Sequence, residues 1–235
     1  MASPSDSKKN STKAVVKSDG ANVKDKAQVN DKAQAKSKTA ATRRIGSEQS
    51  VTRALLLDTA EKLMLDEGYA SVSSRRVAKE VDLKPSLVHY YFPTTDDLFV
   101  AVFRRALESE LEQQGDATEP ADYLLQLWNS YRNPTRTALA MEFMALANHR
   151  KTIKDEITLS TERIRRRRAE RLASMIDMSA IQPAGCSAAG LSVLLIGVAR
   201  TLVMEEGLGI SLGHADAKAA VEYWLQQLAL SKPVI

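Results

Sequence analysis

The sequence predicts an all-α chain, on three observations. From Val51 onward apolar residues recur at i, i+3 and i+4, the spacing of one face of a 3.6-residue turn. No run alternates apolar and polar residues over the length of a strand. Proline stands where helices open (Pro85, Pro134) or in the breaks between them (Pro120, Pro183). At 235 residues the chain has room for one or two domains and a real hydrophobic core.

Taken in order, Leu56, Leu57, Ala60, Leu63 and Met64 form the first apolar stripe, and Gly68 supplies a left-handed stop. Ser73 or Ser74 caps a short second helix whose inner face is Val77, Ala78 and Val81. Leu83 begins a brief connection, and Pro85 opens a third helix running through Phe92. Thr94 or Thr95 caps a longer helix to about Gln114, with Asp96 and Asp97 at the positive end of its dipole. Beyond "GDATEP" the spacing predicts helices over Tyr123–Arg132, Thr135–Arg150 and Thr152–Asp177. The segment "MSAIQPAGC" breaks the chain before Ala188–Glu206 and Ala215–Leu230.

The first 44 residues differ in kind. They hold nine Lys and two Arg against four Asp, a net of +7, so the rest carries −3 within the total of +4. They contain no Leu, Ile, Phe, Tyr or Trp and repeat "DKAQVN" as "DKAQAK". Too little apolar surface is present to offset the entropy of ordering, so residues 1–44 read as a disordered basic tail. The tail is either a cationic arm for phosphates or a solubilising appendage. One cysteine, Cys186, excludes an intramolecular disulfide framework and suits a reducing compartment. No apolar signal segment is visible at the N-terminus, and the longest apolar run, Ala188–Ala199, stops at Arg200, short of a bilayer span. The expectation is a soluble, cytoplasmic protein without a membrane partner.

Nothing invites catalysis. His89, His149 and His214 are scattered, with no HExxH pattern and no cysteine at metal-ligand spacing. "GLGISLG", Gly207 to Gly213, follows a helix rather than a strand and reads as a capping turn, not a phosphate loop. The expectation is no enzyme, no cofactor, no metal and no catalytic residue.

The informative stretch is "KPSLVHYYF", Lys84 to Phe92, where Tyr90, Tyr91 and Phe92 stand together in a chain with 5% aromatics. Neighbours on a helix lie about 100° apart, so three adjacent rings cannot share a buried face. Val88 and Phe92 continue the inner face of the preceding helix. Lys84, Pro85, Ser86, Leu87, His89 and Tyr90 are left on the other side. Two short helices, the second rich in such side chains, are the sequence form of a helix-turn-helix. Lys and Ser reach base edges or phosphates, Pro and Leu meet a thymine methyl, and His and Tyr offer polar tips to the backbone.

These residues carry a family resemblance. "TRALLLDTAEKLMLDEGYASVSSRRVAKEVDLKPSLVHYYFPTTDDLFVAVF", Thr52 to Phe103, resembles the DNA-binding domain of the TetR family of bacterial transcriptional regulators. Its marks are Arg53, the Leu56-Leu57/Ala60/Leu63 ladder, Gly68-Tyr69, Val77-Ala78, the helix ending Tyr91-Phe92, and Leu98. The resemblance implies a homodimeric repressor on a near-palindromic double-stranded DNA operator. It implies Ser73, Ser74 and Arg75 at phosphates or a flanking base, Lys84, Pro85, Ser86 and Leu87 in the groove, and His89 and Tyr90 at phosphate. It further implies a domain division at 1–44 tail, 45–93 DNA-binding, and 94–235 ligand-binding and dimerisation. Two departures stand out. Asp82 occupies the turn position that usually holds Gly, and Thr95 the place of a phosphate-gripping Lys, with only its hydroxyl left to donate. The rival reading is a sequence-indifferent nucleoid or architectural DNA-binding protein.

For the second half, the resemblance implies a pocket for a small effector and a four-helix dimer bundle. Ala188, Ala189, Gly190 and Gly197 allow close helix approach, with Leu194, Leu195, Leu202, Val221, Trp224, Leu225 and Leu228 as apolar area. Tyr123, Trp128, Tyr131, Met141, Phe143 and Met144 are candidate pocket walls or plain core, and Glu142 and His149 candidate polar anchors. "ERIRRRRAER", Glu162 to Arg171, reads as a salt-bridged solvent face ahead of a site for an anionic effector. The expected effector is mainly apolar.

Overall fold

The structure is a computed structural model that describes residues 51–113, 117–177 and 186–230. The basic tail and most of the break before Cys186 lie outside the described residues. Thr52–Ile235 form one compact unit.

The described residues are all helical, with no strand among them. Helix α1 spans 51–67 and is followed by a 3-10 turn, Tyr69–Ser71. Then come α2 (Ser74–Glu80), α3 (Pro85–Tyr91), α4 (Thr95–Gln113), α5 (Pro120–Tyr131), α6 (Pro134–Ala147), α7 (Lys151–Met175), α8 (Ala188–Gly207) and α9 (His214–Leu230).

The termini follow from named residues. Gly68 closes α1 by donating its N–H to the Met64 carbonyl at 3.1 Å. Its φ of 81° and ψ of 163° lie in a region that only glycine visits readily. Ser73, not Ser74, caps α2, its hydroxyl accepting from the Arg76 N–H at 3.2 Å. Asn133 caps α6 by accepting from Arg136 N–H at 2.9 Å, and Pro134 follows at the first helical position. Ahead of α4, Thr94 Oγ1 accepts from Asp97 N–H at 3.1 Å while Thr94 N–H donates to the Asp97 carboxylate at 2.9 Å. This reciprocal pair is a capping box. It identifies Thr94, rather than Thr95, as the cap.

Two apolar clusters hold the chain together. The first gathers Leu56, Leu57, Ala60, Leu63 and Met64 of α1, Val77 and Ala78 of α2, and Val88 and Phe92 of and just after α3. Leu98, Phe99 and Val102 of α4 join it, as do Leu139, Phe143 and Leu146 of α6 and Ile153 of α7. The second joins α5 (Tyr123, Leu124, Leu127, Trp128, Tyr131) to Leu172 and Ile176, to Leu191, Leu195, Ala199 and Leu202 of α8, and to Val221, Leu225 and Leu228 of α9. Apolar packing therefore runs through position 94 without a break.

Helix α8 corrects one sequence expectation. Its bounds, Ala188–Gly207, agree with the predicted Ala188–Glu206, but the apolar stretch does not end at Arg200: by length and composition the helix is long and apolar enough to cross a membrane. Backbone hydrogen bonding carries it past one charged side chain, and its Leu191, Leu195, Ala199 and Leu202 pack in the second cluster.

Candidate functional site

The helix-turn-helix is built by α2 and α3. Between them Asp82 adopts φ of 51°, the left-handed conformation that its place in the turn demands. Leu83 N–H then donates to the Ala78 carbonyl at 2.8 Å and brings the chain back for α3. Val88 and Phe92 are buried in the first cluster, and the Arg53 guanidinium lies 5.3 Å from the centre of the Phe92 ring. Tyr91 is half-buried and packs on the same cluster.

The opposite face of α3 is open. Lys84, Pro85, Ser86, His89 and Tyr90 are exposed, and Leu87 is half-buried. Tyr90 is 65% exposed and meets Tyr91 edge-on at 5.1 Å between ring centres. His89 donates from Nδ1 to the Pro93 carbonyl at 3.2 Å, which leaves Nε2 as its outward nitrogen. Ser73 and Arg75 are exposed beside this face, and Thr95 is half-buried at the start of α4. Ser74 differs from Ser73 and Arg75: its side chain is buried at the first turn of α2. Arg76 is held at 2.7 Å by both Glu67 and Glu80, and the hydrogen bond it donates to Glu67 raises its pKa.

The second site is a cavity of about 290 Å³ walled by α4, α5, α6, α7 and α8. Its wall is mostly apolar, with Phe103, Ala106, Leu107, Leu139, Ala140, Phe143, Met144, Ile157, Ile164 and Ile196. Phe103 and Phe143 meet edge-on at 5.2 Å. Set into it are Arg136, Arg165, Arg168 and Arg200, opposed by one carboxylate, Glu110. Arg168 is buried, bonds Glu110 at 2.7 Å and lies 5.4 Å from the Tyr131 ring centre. Arg136 donates to Ser130 Oγ at 2.8 Å. Burial pushes the Arg200 guanidinium below its ordinary pKa and the Tyr131 hydroxyl up to about 12.

Of the sequence candidates, the cavity collects Tyr131, Phe143 and Met144. Tyr123 and Trp128 are corrected to core, both 1% exposed in the second cluster. Met141 is exposed and lies outside the cavity wall. Glu142 and His149 also lie elsewhere. Glu142 Oε2 accepts the Tyr69 N–H at 2.7 Å, and the His149 ring stacks 6.4 Å from that of Tyr69, beside the helix-turn-helix. A helix of 3.6 residues per turn divides these roles: positions 136, 137, 140 and 144 of α6 reach the cavity, while 142 turns toward the 3-10 turn.

Sequence reasoning weighed the run holding Arg165 and Arg168 as a solvent face ahead of an anion site, whereas both line the cavity, and it did not single out Arg136 or Arg200 for it. For Arg200 the signal was one cation in an otherwise apolar stretch. Among the described residues no cluster of three His, Cys, Asp or Glu side chains could hold a metal ion.

The described residues thus form an all-helical arrangement, a helix-turn-helix followed by a helical body around a cavity. Residues 56–102, which span the helix-turn-helix, match the model for bacterial regulatory proteins of the tetR family. Solved structures agree in fold over most of the chain. A transcriptional regulator from Rhodococcus sp. Rha1 has a TM-score of 0.58 at 16% identity, covering 78% of this chain and 98% of its own. A TetR transcription regulator from Haloarcula marismortui has a TM-score of 0.55 at 18% identity, covering 79% and 99%. The multidrug binding protein EbrR, complexed with imidazole, has a TM-score of 0.53 at 22% identity, covering 78% and 96%. Comparison with curated proteins finds no match.

Proposed function

We propose that this chain is a dimeric, ligand-responsive repressor. On this reading residues 45–93 bind an operator, and residues 94–235 bind a small effector and the partner subunit. The observation that carries it is the double duty of α4. Leu98, Phe99 and Val102 share an apolar core with Val88 and Phe92 of the recognition helix. Further along the same helix, Phe103, Ala106, Leu107 and Glu110 wall the cavity. A rigid helix packed at both sites transmits a shift at one to the other, and a ligand that prefers one arrangement moves the equilibrium by its difference in affinity.

In the DNA-binding arrangement Lys84, Pro85, Ser86 and Leu87 enter the major groove. Arg75, His89 and Tyr90 meet phosphates, and the hydroxyls of Ser73 and Thr95 add hydrogen bonds. Dimerisation is supported by the outer faces of α8 and α9, where Val193, Leu194, Met204, Tyr223 and Trp224 are exposed on the single chain. A patch of this kind marks an interaction surface.

The test is to map bound sites genome-wide, footprint one palindrome against excess competitor DNA, and screen substrates and products of neighbouring genes for release. A specific regulator exceeds non-specific binding by about 10³ or more. Equal affinity for any duplex would establish the nucleoid reading instead.

A further inference from the structure

The apolar wall of the cavity favours an apolar body in its occupant, but its charges do not suit a neutral one. Arg168 has Glu110 and Arg136 has Ser130. Arg165 and Arg200 have no carboxylate within ion-pair distance among the described residues, and Arg165 Nε is buried without a hydrogen-bond partner. The Tyr131 hydroxyl is likewise buried and unpartnered, on a side chain only 6% exposed. Burial lowers the pKa of Arg200, Glu110 offsets part of that from beyond ion-pair distance, and Arg165 and Arg168 repel it. A half-buried cation with no carboxylate bonded to it is costly, and so is an orphaned buried donor. Two guanidiniums and a phenol hydroxyl, brought to one cavity by α7, α8 and α5, define where an anion would relieve all three.

We propose that the cavity takes an amphipathic anion: a carboxylate or phosphate-monoester head held by Arg165, Arg200 and the Tyr131 hydroxyl, with an apolar body against Phe103, Phe143 and Ile196. This rests on the reading of the cavity as the effector site. An apolar cavity of roughly 150 Å³ holds one benzene. The volume here, about 290 Å³, therefore suits a ligand with a short chain or a small ring system.

Four probes with one tail isolate the head group: octanoate, octyl phosphate, octan-1-ol and octyltrimethylammonium, each titrated calorimetrically into the full chain. At least one anion is expected to bind at least about ten-fold more tightly than the alcohol, the weight of one charged hydrogen bond, and the ammonium not at all. Octanoate against octyl phosphate assigns the head. Arg200→Gln is expected to abolish the preference for the anion while leaving the melting temperature unchanged or higher, since it removes a desolvated charge. Arg165→Gln is the second variant should the first fail to fold. Alcohol or ammonium binding as tightly as both anions would overturn the proposal, as would failure of both anions to bind at millimolar concentration or an undiminished preference in the folded variant. Release of operator DNA is measured in parallel. An anion that binds without releasing DNA leaves the anion site standing and removes its effector role; release by the alcohol or ammonium alone does the reverse.

Discussion

Tyr90 and Asp82 show how much a single position can settle. Tyr90 is 65% exposed between a buried Val88 and a buried Phe92, so its ring adds nothing to the core that the isolated fold needs. Tyr90→Ala is expected to weaken operator binding while changing stability by no more than about 0.5 kcal/mol. Band shifts and thermal melting check this, and loss of folding would show that the ring belongs to the core. Asp82 was legible as a residue tolerating positive φ, and its φ of 51° agrees. Asp82→Val is expected to cost about 1–2 kcal/mol, because a Cβ-branched side chain fits the left-handed region poorly. Urea unfolding measures it, and an unchanged midpoint would mean that the turn relaxes freely. Ser74 was legible only as one of two adjacent serines. Which of them caps and which is buried depends on the rotation of α2 against the core.

At the scale of elements, α4 is tied along its length to its neighbours. Arg105 bonds Asp58 at 2.5 Å and Glu61 at 2.6 Å on α1. Arg150, just before α7, pairs with Asp96. Arg104 grips Glu156 of α7 with two hydrogen bonds of 2.8 Å. The hydrogen bond from Arg104 holds the Glu156 carboxyl below its usual pKa. A depressed carboxylate adds stability above its unfolded pKa and loses it as pH falls through the folded value. Arg104→Gln is therefore expected to lose up to about 1 kcal/mol at neutral pH, the scale of a solvent-screened pair. Its unfolding curve should merge with the parent's in acid, below the depressed pKa of Glu156. A difference that persists there would assign the loss to packing of the Arg104 stem instead.

Across the whole molecule, the outer faces of α8 and α9 decide whether the chain acts alone. The family resemblance implies a dimer bundle there, with Leu194, Leu195, Leu202, Val221, Trp224, Leu225 and Leu228 as its apolar area, yet Leu195, Leu202, Val221, Leu225 and Leu228 are consumed by the second intrachain cluster. Leu194, Gly197 and Trp224 remain outside. Leu194→Glu combined with Trp224→Glu is expected to give a folded monomer with weakened operator binding. Sedimentation and helical circular dichroism read the two outcomes, and an intact dimer would move the interface elsewhere. On the proposed reading, relief of repression by a ligand would depend on two sites in one subunit and on the pairing of two subunits.

The sequence by itself determined the helices and the helix-turn-helix, because local signals carry them: apolar spacing, caps, Gly68, and prolines at helix starts. It also determined the outward face of α3, since Val88 and Phe92 leave only one side for Lys84, Ser86, His89 and Tyr90. Only the tertiary structure decided the cavity. Arg165 and Arg168 share a face of α7 by their spacing, but nothing local brings Arg136 of α6 and Arg200 of α8 to them. Tyr123 and Trp128 look like pocket walls by type but are core by position. A helix stripe states which residues lie together on one element, whereas a cavity is defined by how several elements turn toward each other, and that follows from packing.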